Sequence, residues 1–277
     1  MIPPAVPLGG VGGLRLLDRT YDRQLETFSS SPELIREVED FLARAGDVRS
    51  AEELVADRQI LKVALGAFGL EDELPKRALI RKVLEEGTIA RDALANRLVD
   101  PAWRRFAAAI GFGDLGGRLD RESVRDEIAE SYRVRQFERA VGDIDVDLRL
   151  ALNFRREIGD IAASQDVERN GWFRVIGSEP LRLVLLGALG LPESIGTLDI
   201  DLQATRLSER AEQVFGKRSP SVFTESAAVE DAIERFLFAS AVRQGPSNTT
   251  RGSAALTLLQ TTALGAGGAA GLFASRL

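Results

Sequence analysis

The 277-residue chain is predicted to be all-α and multi-helical, with two related helical lobes and flexible termini. Apolar residues recur at spacings of three and four along most of the sequence, as they do on the buried face of a helix. Residue types that start and end helices bound these periodic stretches. No stretch of the sequence shows the sustained apolar–polar alternation with β-branched residues that predicts a strand. Periodicity and boundary residues therefore indicate the same fold class.

Four segments are predicted along the chain: a flexible N-terminal arm (1–13), a first helical lobe (14–120), a second helical lobe (121–244) and a flexible or partner-ordered tail (245–277). The arm, "MIPPAVPLGGVGG", is rich in Pro and Gly, so we expect no regular helix within it. The tail begins where the composition changes to the linker-like "GPSNTTRGS". The length suits one large domain or two ordinary ones.

In the first lobe, specific residues predict where helices begin. Ser31 is a predicted N-cap, with Pro32 at the first helical position. Ser50 and Glu53 form a capping-box pattern. The stretch "DRQILKVALGAF" either continues that helix or starts another. "ELPKRALIRKVLEEG" predicts a further helix, and "ARDALANRLVDPAWRRFAAAIGFG" predicts two helices that break at Asp100–Pro101, because a proline disfavours helical backbone at the residue before it.

The second lobe is predicted to contain long amphipathic helices. They lie on "ESVRDEIAESYRVRQFERAVG", "DIDVDLRLALNFRREIGDIAAS", "TLDIDLQATRLSERAEQVFG" and "SAAVEDAIERFLFASAVRQ", with shorter elements on "GWFRVIG" and "EPLRLVLLGALGL". Trp172 in this lobe and Trp103 in the first are interpreted as anchors of the core or of the lobe interface, rather than as ligand-stacking residues.

A ten-residue stretch occurs twice in the sequence. "LKVALGAFGL" (61–70) and "RLVLLGALGL" (182–191) agree at five of ten positions. A phosphate-binding glycine loop would precede a helix and would have Lys and Ser or Thr nearby. Here the glycines end an apolar helical run, and no GKS or GKT follows. We interpret both copies as helix C-termini. The repeat suggests duplication, although five matches among apolar positions also arise by convergence.

Three glycines are predicted to cap helix C-termini. Gly69 and Gly190 occupy the position that favours left-handed backbone, and the leucine after each is placed to fold back on the last turn. Gly111 ends a third helix in a similar way. One turn earlier, Gly66 and Gly187 are expected to let another helix approach closely.

The composition excludes several classes of chemistry. The chain has no His and no Cys, which removes thiol nucleophiles, disulfides, His general bases and ordinary zinc sites. A net charge of −6 argues against a general nucleic-acid-binding protein. We predict no catalytic, cofactor-binding or metal-ligating residue, no cofactor, and no enzymatic activity.

Two acidic patterns in the sequence resemble parts of known sites. "DIDVD" (143–147) resembles the start of a calcium loop, but Leu148 and Phe154 stand where such a loop needs Gly and Glu, so the calcium hypothesis is rejected. Asp199 and Asp201 are interpreted as acids on a solvated helix face. A carboxylate pair for glycoside hydrolysis stays open only in principle.

The uncharged tail segment, residues 254–274, leaves three interpretations open. Its 21 residues are long enough to span a bilayer and contain Gly267-x-x-x-Gly271. Its Thr, Gln and Gly content is poor for a membrane segment, so a flexible or partner-ordered tail is favoured over a packed terminal helix or a membrane anchor. "GAGGAA" within it is not a dinucleotide site, because only seven residues follow.

Several blocks in order resemble a family of unknown function from alphaproteobacteria, whose genes often lie beside flagellar genes. The resemblance runs from Val6 to Gln244. It rests on "VPLGGVGGLRLLDRTYDRQLETFSSSPEL", "SAEELVADRQILKVALGAFGLEDEL", "IRKVLEEG", "LANRLVDPAWRRFAAAIGFGD", "YRVRQFERAVG", "LRLALNFRREI" and "WFRVIGSEPLRLVLLGALGLP". It carries no catalytic motif, so it transfers no site residues.

The resemblance implies a non-enzymatic, flagellum-associated interaction or assembly factor with a flagellar protein as partner. The N-terminus lacks the basic and apolar regions of a cleaved signal peptide. Together with the resemblance, this predicts a location in the cytoplasm, or export by a flagellar route without a cleaved signal peptide. One alternative is a small-molecule-binding protein or carboxylate-based enzyme with a cleft between the lobes. Another is a membrane-tethered adaptor that uses residues 254–274.

Overall fold

The computed structural model describes residues 2–114 and 116–244, and all regular secondary structure in this part of the chain is helical. The all-α prediction is therefore confirmed. Thirteen α-helices follow one another, with short 3₁₀ turns between some of them. They are α1 (Gly10–Ser29), α2 (Pro32–Arg44), α3 (Ala51–Ala56), α4 (Arg58–Gly66), α5 (Arg77–Glu86), α6 (Leu94–Arg97), α7 (Ala102–Ile110), α8 (Glu122–Gly142), α9 (Val146–Ala162), α10 (Val167–Gly177), α11 (Glu179–Ala188), α12 (Ile200–Phe215) and α13 (Ser226–Gln244).

The N-terminal arm differs from the expectation that residues 1–13 contain no regular helix. Helix α1 begins at Gly10, which has a φ of +63°. Gly13 makes this start compact, because a Cβ there would lie 2.0 Å from the carbonyl oxygen of Leu8. The residues before α1 run back along it, and the amide N–H of Ala5 donates to Oε1 of Gln24 at 2.7 Å. The glycines that argued against a helix are what permit its tight first turn.

The predicted starts of α2 and α3 match the structure. Ser31 precedes Pro32 at the start of α2. Ser50 accepts a hydrogen bond from the amide N–H of Glu53 at 3.1 Å, as a capping box requires. The carboxylate of Glu53 accepts instead from the amide of Arg49, one residue before the position that the pattern specifies. Helix α4 is separate from α3, because the side chain of its N-cap residue, Asp57, accepts hydrogen bonds from the amides of Gln59 and Ile60.

The two copies of the repeated stretch end in the same backbone geometry. Gly69 has a φ of +78° and Gly190 a φ of +64°. The amide N–H of Leu70 donates to the carbonyl of Leu65 at 2.9 Å, and that of Leu191 to Leu186 at 2.8 Å. Each glycine amide also donates to the glycine three residues earlier, at 3.1 Å in both copies. These two bonds define the Schellman motif. The third such glycine, Gly111, has a φ of +79° and ends α7.

Helices approach closely at the other glycine of each copy. A Cβ on Gly66 would lie 2.5 Å from the ring of Tyr132 on α8. A Cβ on Gly187 would lie 2.7 Å from the ring of Phe236 on α13. Both rings are buried. The missing side chain therefore makes room for an aromatic ring in each copy.

The hydrophobic core crosses the predicted lobe boundary at residue 120. Helices α1, α2 and α4 pack against α8, and α1 also packs against α13. Phe137 of α8 makes edge-to-face contacts with Tyr21 and Phe28 of α1, at ring-centroid distances of 5.4 and 5.7 Å. Trp103 and Trp172, the predicted anchors, are both buried in this core. The two halves of the sequence are thus joined by one continuous apolar interior.

None of the helices in residues 2–114 and 116–244 combines the length and the hydropathy that a membrane span requires. The predicted tail, residues 245–277 with the uncharged segment 254–274, lies outside the described residues.

Candidate binding groove

A groove of about 600 Å³ lies where elements of the two sequence halves meet. Two of its walls are formed by the chain from Thr88 to Arg104, which ends in the first turn of α7, and the third is formed by Asp166 and one face of α10. The lining combines apolar side chains with three arginines and one carboxylate. The lining residues are Thr88, Ile89, Arg91, Ala95, Asn96, Leu98, Val99, Pro101, Arg104, Asp166, Asn170, Phe173 and Arg174. We call this feature the groove.

The first wall is a loop that Asp114 holds in place. Its Oδ1 accepts from the amides of Thr88 and Ile89 at 2.6 and 3.1 Å, and its Oδ2 accepts from the Thr88 hydroxyl at 2.9 Å. Burial acts to raise the pKa of Asp114, but these hydrogen bonds hold it below its ordinary value. The Asn96 amide adds two bonds at 2.8 Å, to the carbonyls of Thr88 and Ala90. The loop therefore presents Ile89, which is 67% exposed, on a fixed backbone.

The second wall is the segment between α6 and α7, which crosses the end of α10. A Cβ on Gly177, the last residue of α10, would lie 2.3 Å from the carbonyl oxygen of Val99. The backbone approaches this closely only because residue 177 has no side chain. The Val99 side chain is 74% exposed. Asp100 turns the chain into α7, since its carboxylate accepts from the amide of Ala102 at 2.8 Å.

The third wall is one face of α10. Asp166, Asn170 and Arg174 are spaced by four residues and lie on that face. Asp166 accepts from the Asn170 amide at 2.9 Å and from the Arg174 guanidinium at 2.8 Å. The Asn170 hydrogen bond and the charge of Arg174 lower the pKa of Asp166 against the opposing effect of burial. Phe173 supplies the apolar part of this wall.

Two of the three arginines in the groove are unpaired. Arg174 is bound to Asp166, whereas Arg91 and Arg104 have no hydrogen bond or ion pair to any described residue. Arg105, the neighbour of Arg104, points the other way and binds the buried carboxylate of Glu157 at 3.1 Å. Successive residues on a helix point about 100° apart, so Arg105 of α7 faces the buried Glu157 while Arg104 faces the groove.

The core partner of Arg105 belongs to a buried charge network. Glu157 is 7% exposed and also accepts from Arg135 at 2.8 Å and Arg156 at 3.0 Å. Arg156 further binds Glu138 through two hydrogen bonds of 2.9 and 2.8 Å. Burial acts to raise the pKa of Glu157, but the three arginines lower it to about 2. This network joins α7, α8 and α9 behind the groove.

The groove combines one ion-paired carboxylate with two arginines that have no partner among the described residues. Asp166, the one carboxylate in the lining, has a lowered pKa and an arginine partner, whereas burial raises the pKa of Asp100 in the second wall. Among the described residues, no group of three or more acidic side chains is placed to hold a metal ion. The groove offers unpaired guanidinium groups beside exposed aliphatic side chains.

The residues that sequence analysis singled out lie elsewhere. Gly69, Gly190 and Gly111 are at helix ends outside the groove lining. Two acids of "DIDVD" have structural partners: Asp145 caps α9, and Asp147 accepts a hydrogen bond from the Ser240 hydroxyl of α13. Asp199 caps α12.

The groove lies between the two sequence halves, where the alternative hypothesis of a small-molecule-binding protein or carboxylate-based enzyme places its cleft. None of the groove residues is predicted from the sequence to belong to a site, and Pro101 is predicted only as a helix boundary. The pair Arg104 and Arg105 was the available signal, because one of two adjacent arginines on a short amphipathic helix must face away from the core.

Comparisons with known proteins add a family and a fold. Residues 67–223 match the family described as "Protein of unknown function (DUF1217)", a range that includes the whole groove lining. The crystal structure of protein AGR_C_984 from Agrobacterium tumefaciens is similar, with 26% sequence identity and a TM-score of 0.71 over 88% of this chain and 100% of that one. None of the curated proteins matches this chain. Because the matched range covers more than half of its residues, the chain belongs to the DUF1217 family of proteins of unknown function.

Proposed function

We propose that this protein is a non-enzymatic interaction or assembly factor of the flagellar system, and that the groove binds its protein partner. The observation that carries the binding proposal is the exposure of Ile89 and Val99 beside the unpaired Arg91 and Arg104. Single exposed aliphatic side chains are ordinary on a protein surface, but apolar side chains that line one concave feature with a polar rim are a common sign of an interaction site. The flagellar part of the proposal rests on the sequence resemblance described above.

A small-molecule-binding protein is the second candidate. A volume of about 600 Å³ lies in the range of ligand pockets, which favours this candidate. Such pockets bury most of their ligand's surface, however, and Val99 is three-quarters exposed. A groove with a wall this exposed is better suited to bind a segment of another protein than to enclose a small metabolite.

Affinity capture from motile cells tests the proposal. The full chain is compared with a groove variant, Ile89→Ser with Val99→Ser, and with a control variant, Arg19→Gln with Arg23→Gln. The control arginines are exposed on α1 and lie outside the groove. We expect wild type and control to recover flagellar basal-body, hook or export components, and the groove variant to lose them.

Motility provides the second readout. We expect deletion of the gene to impair swimming and the control variant to restore it, whereas the groove variant should not. Capture of no flagellar component, together with normal swimming after deletion, would overturn the flagellar proposal. Equal capture by the groove variant would instead show that the partner binds elsewhere on the chain.

A further inference from the structure

We infer that the partner segment recognised by the groove is acidic, with carboxylate side chains next to aliphatic ones. This inference rests on the proposed function and specifies the chemistry of the partner. It commits to a polypeptide segment that carries Asp or Glu beside Leu, Ile, Val or Phe.

The groove has a positive lining, which favours an acidic partner. The whole chain has a formal net charge of −6, yet the groove lining carries three arginines and one aspartate. Since Asp166 already binds Arg174, the guanidinium groups of Arg91 and Arg104 are the unsatisfied part of this lining. A positive groove on a negative protein attracts negatively charged partners and repels positively charged ones.

The two unpaired arginines favour carboxylates as their binding partners. A guanidinium presents planar, paired donors that match a carboxylate, and such charge-assisted pairs are stronger than neutral hydrogen bonds. Arg91 lies on the loop that Asp114 fixes, and Arg104 lies on α7, so each approaches the groove from a separate, ordered element. The groove therefore offers two separate guanidinium groups to the carboxylates of one segment.

The apolar walls decide between a peptide and a small hydrated anion. Ile89, Val99 and Phe173 line the same groove as the two arginines. Inorganic phosphate makes no use of these side chains, because it has no apolar surface to bury. A segment with alternating acidic and aliphatic side chains uses both, and its aliphatic groups shield the ion pairs from water.

Selection of peptides on the full chain tests the inference. A display library of random dodecapeptides is selected against wild type, against Arg91→Gln with Arg104→Gln, and against the Arg19→Gln, Arg23→Gln control. We expect peptides from wild type and control to be enriched in Asp and Glu next to aliphatic residues. We expect the charge variant to bind these peptides about tenfold more weakly or worse.

Each outcome has a separate meaning. Selected peptides without acidic enrichment, equal binding to the charge variant, or no selected peptides would overturn the inference. Displacement of the peptides by millimolar inorganic phosphate, but not by equal ionic strength of chloride, would assign the arginines to a small anion and also overturn it. If cellular capture is lost in the Ile89→Ser, Val99→Ser variant but kept in the charge variant, the proposed function stands while the acidic partner is excluded.

Discussion

At the scale of single residues, the charge of Glu157 makes stability depend on pH. Its pKa is lowered from an ordinary value of 4.5 to about 2 by three arginines, despite burial. An acid with a lowered folded-state pKa stabilises the fold above its unfolded pKa and loses that effect as pH falls. We expect about 3 kcal/mol of unfolding free energy to disappear between pH 4.5 and 2 from this group.

The substitution Glu157→Gln should remove that pH dependence and destabilise the protein at pH 7 by about 3 kcal/mol, because it leaves three partly buried arginines short of a counter-charge. Urea unfolding at several pH values measures both effects. Glu130→Gln is the matched control, since Glu130 pairs with Arg133 at the surface and is 61% exposed. An unchanged pH slope in the Glu157 variant would show that the network does not act as described.

Glycine 66 offers a second test at this scale. Gly66→Ala forces a methyl group to within 2.5 Å of the Tyr132 ring, so we expect a loss of about 1–3 kcal/mol in unfolding free energy. Gly159→Ala on α9 meets nothing within 4 Å and should be neutral or stabilising, because alanine favours a helix. Thermal denaturation of both variants measures these changes in stability. An unchanged stability of the Gly66→Ala variant would contradict the close approach of α4 and α8.

At the scale of elements, Asp114 positions one wall of the groove. Asp114→Ala removes three hydrogen bonds to Thr88 and Ile89, so we expect faster amide hydrogen exchange across residues 87–92 and weaker partner binding. Asp120→Ala is the control, since Asp120 is exposed and makes no hydrogen bond to a described residue. Exchange rates that stay the same in both variants would show that the loop is fixed by other contacts.

Most element boundaries could be predicted because they depend on local signals. Helix α8 begins and ends at the predicted residues, and α13 begins at its predicted residue, since their periodicity is long and polar residues precede them. The start of α1 at Gly10 could not, because its tight turn depends on a carbonyl packed against Gly13. The groove could not be predicted for a related reason. Its walls are positioned by contacts between residues distant in sequence, namely Gly177 with Val99 and Asp114 with Thr88 and Ile89, and no local pattern marks these residues.

At the scale of the whole molecule, the continuous core predicts cooperative unfolding. Helices from residues 10–66 pack directly on α8, α9 and α13, so neither half buries its apolar face alone. We expect one calorimetric transition for the full chain, and no stable fold for residues 14–120 or 121–244 expressed separately. Two resolved transitions, or a folded half, would show that the repeated stretch marks two independent lobes.

The measurement that tests the central claim most directly is photo-crosslinking in living, motile cells. A photoreactive amino acid replaces Val99 in the groove, and in a parallel strain it replaces Phe238, which is 69% exposed on α13 and outside the groove. We predict that position 99 crosslinks to one flagellar protein through an acidic segment, and that position 238 does not. Absence of a crosslink at position 99, or the same crosslinks from both positions, would contradict the assignment of the groove as the partner-binding site.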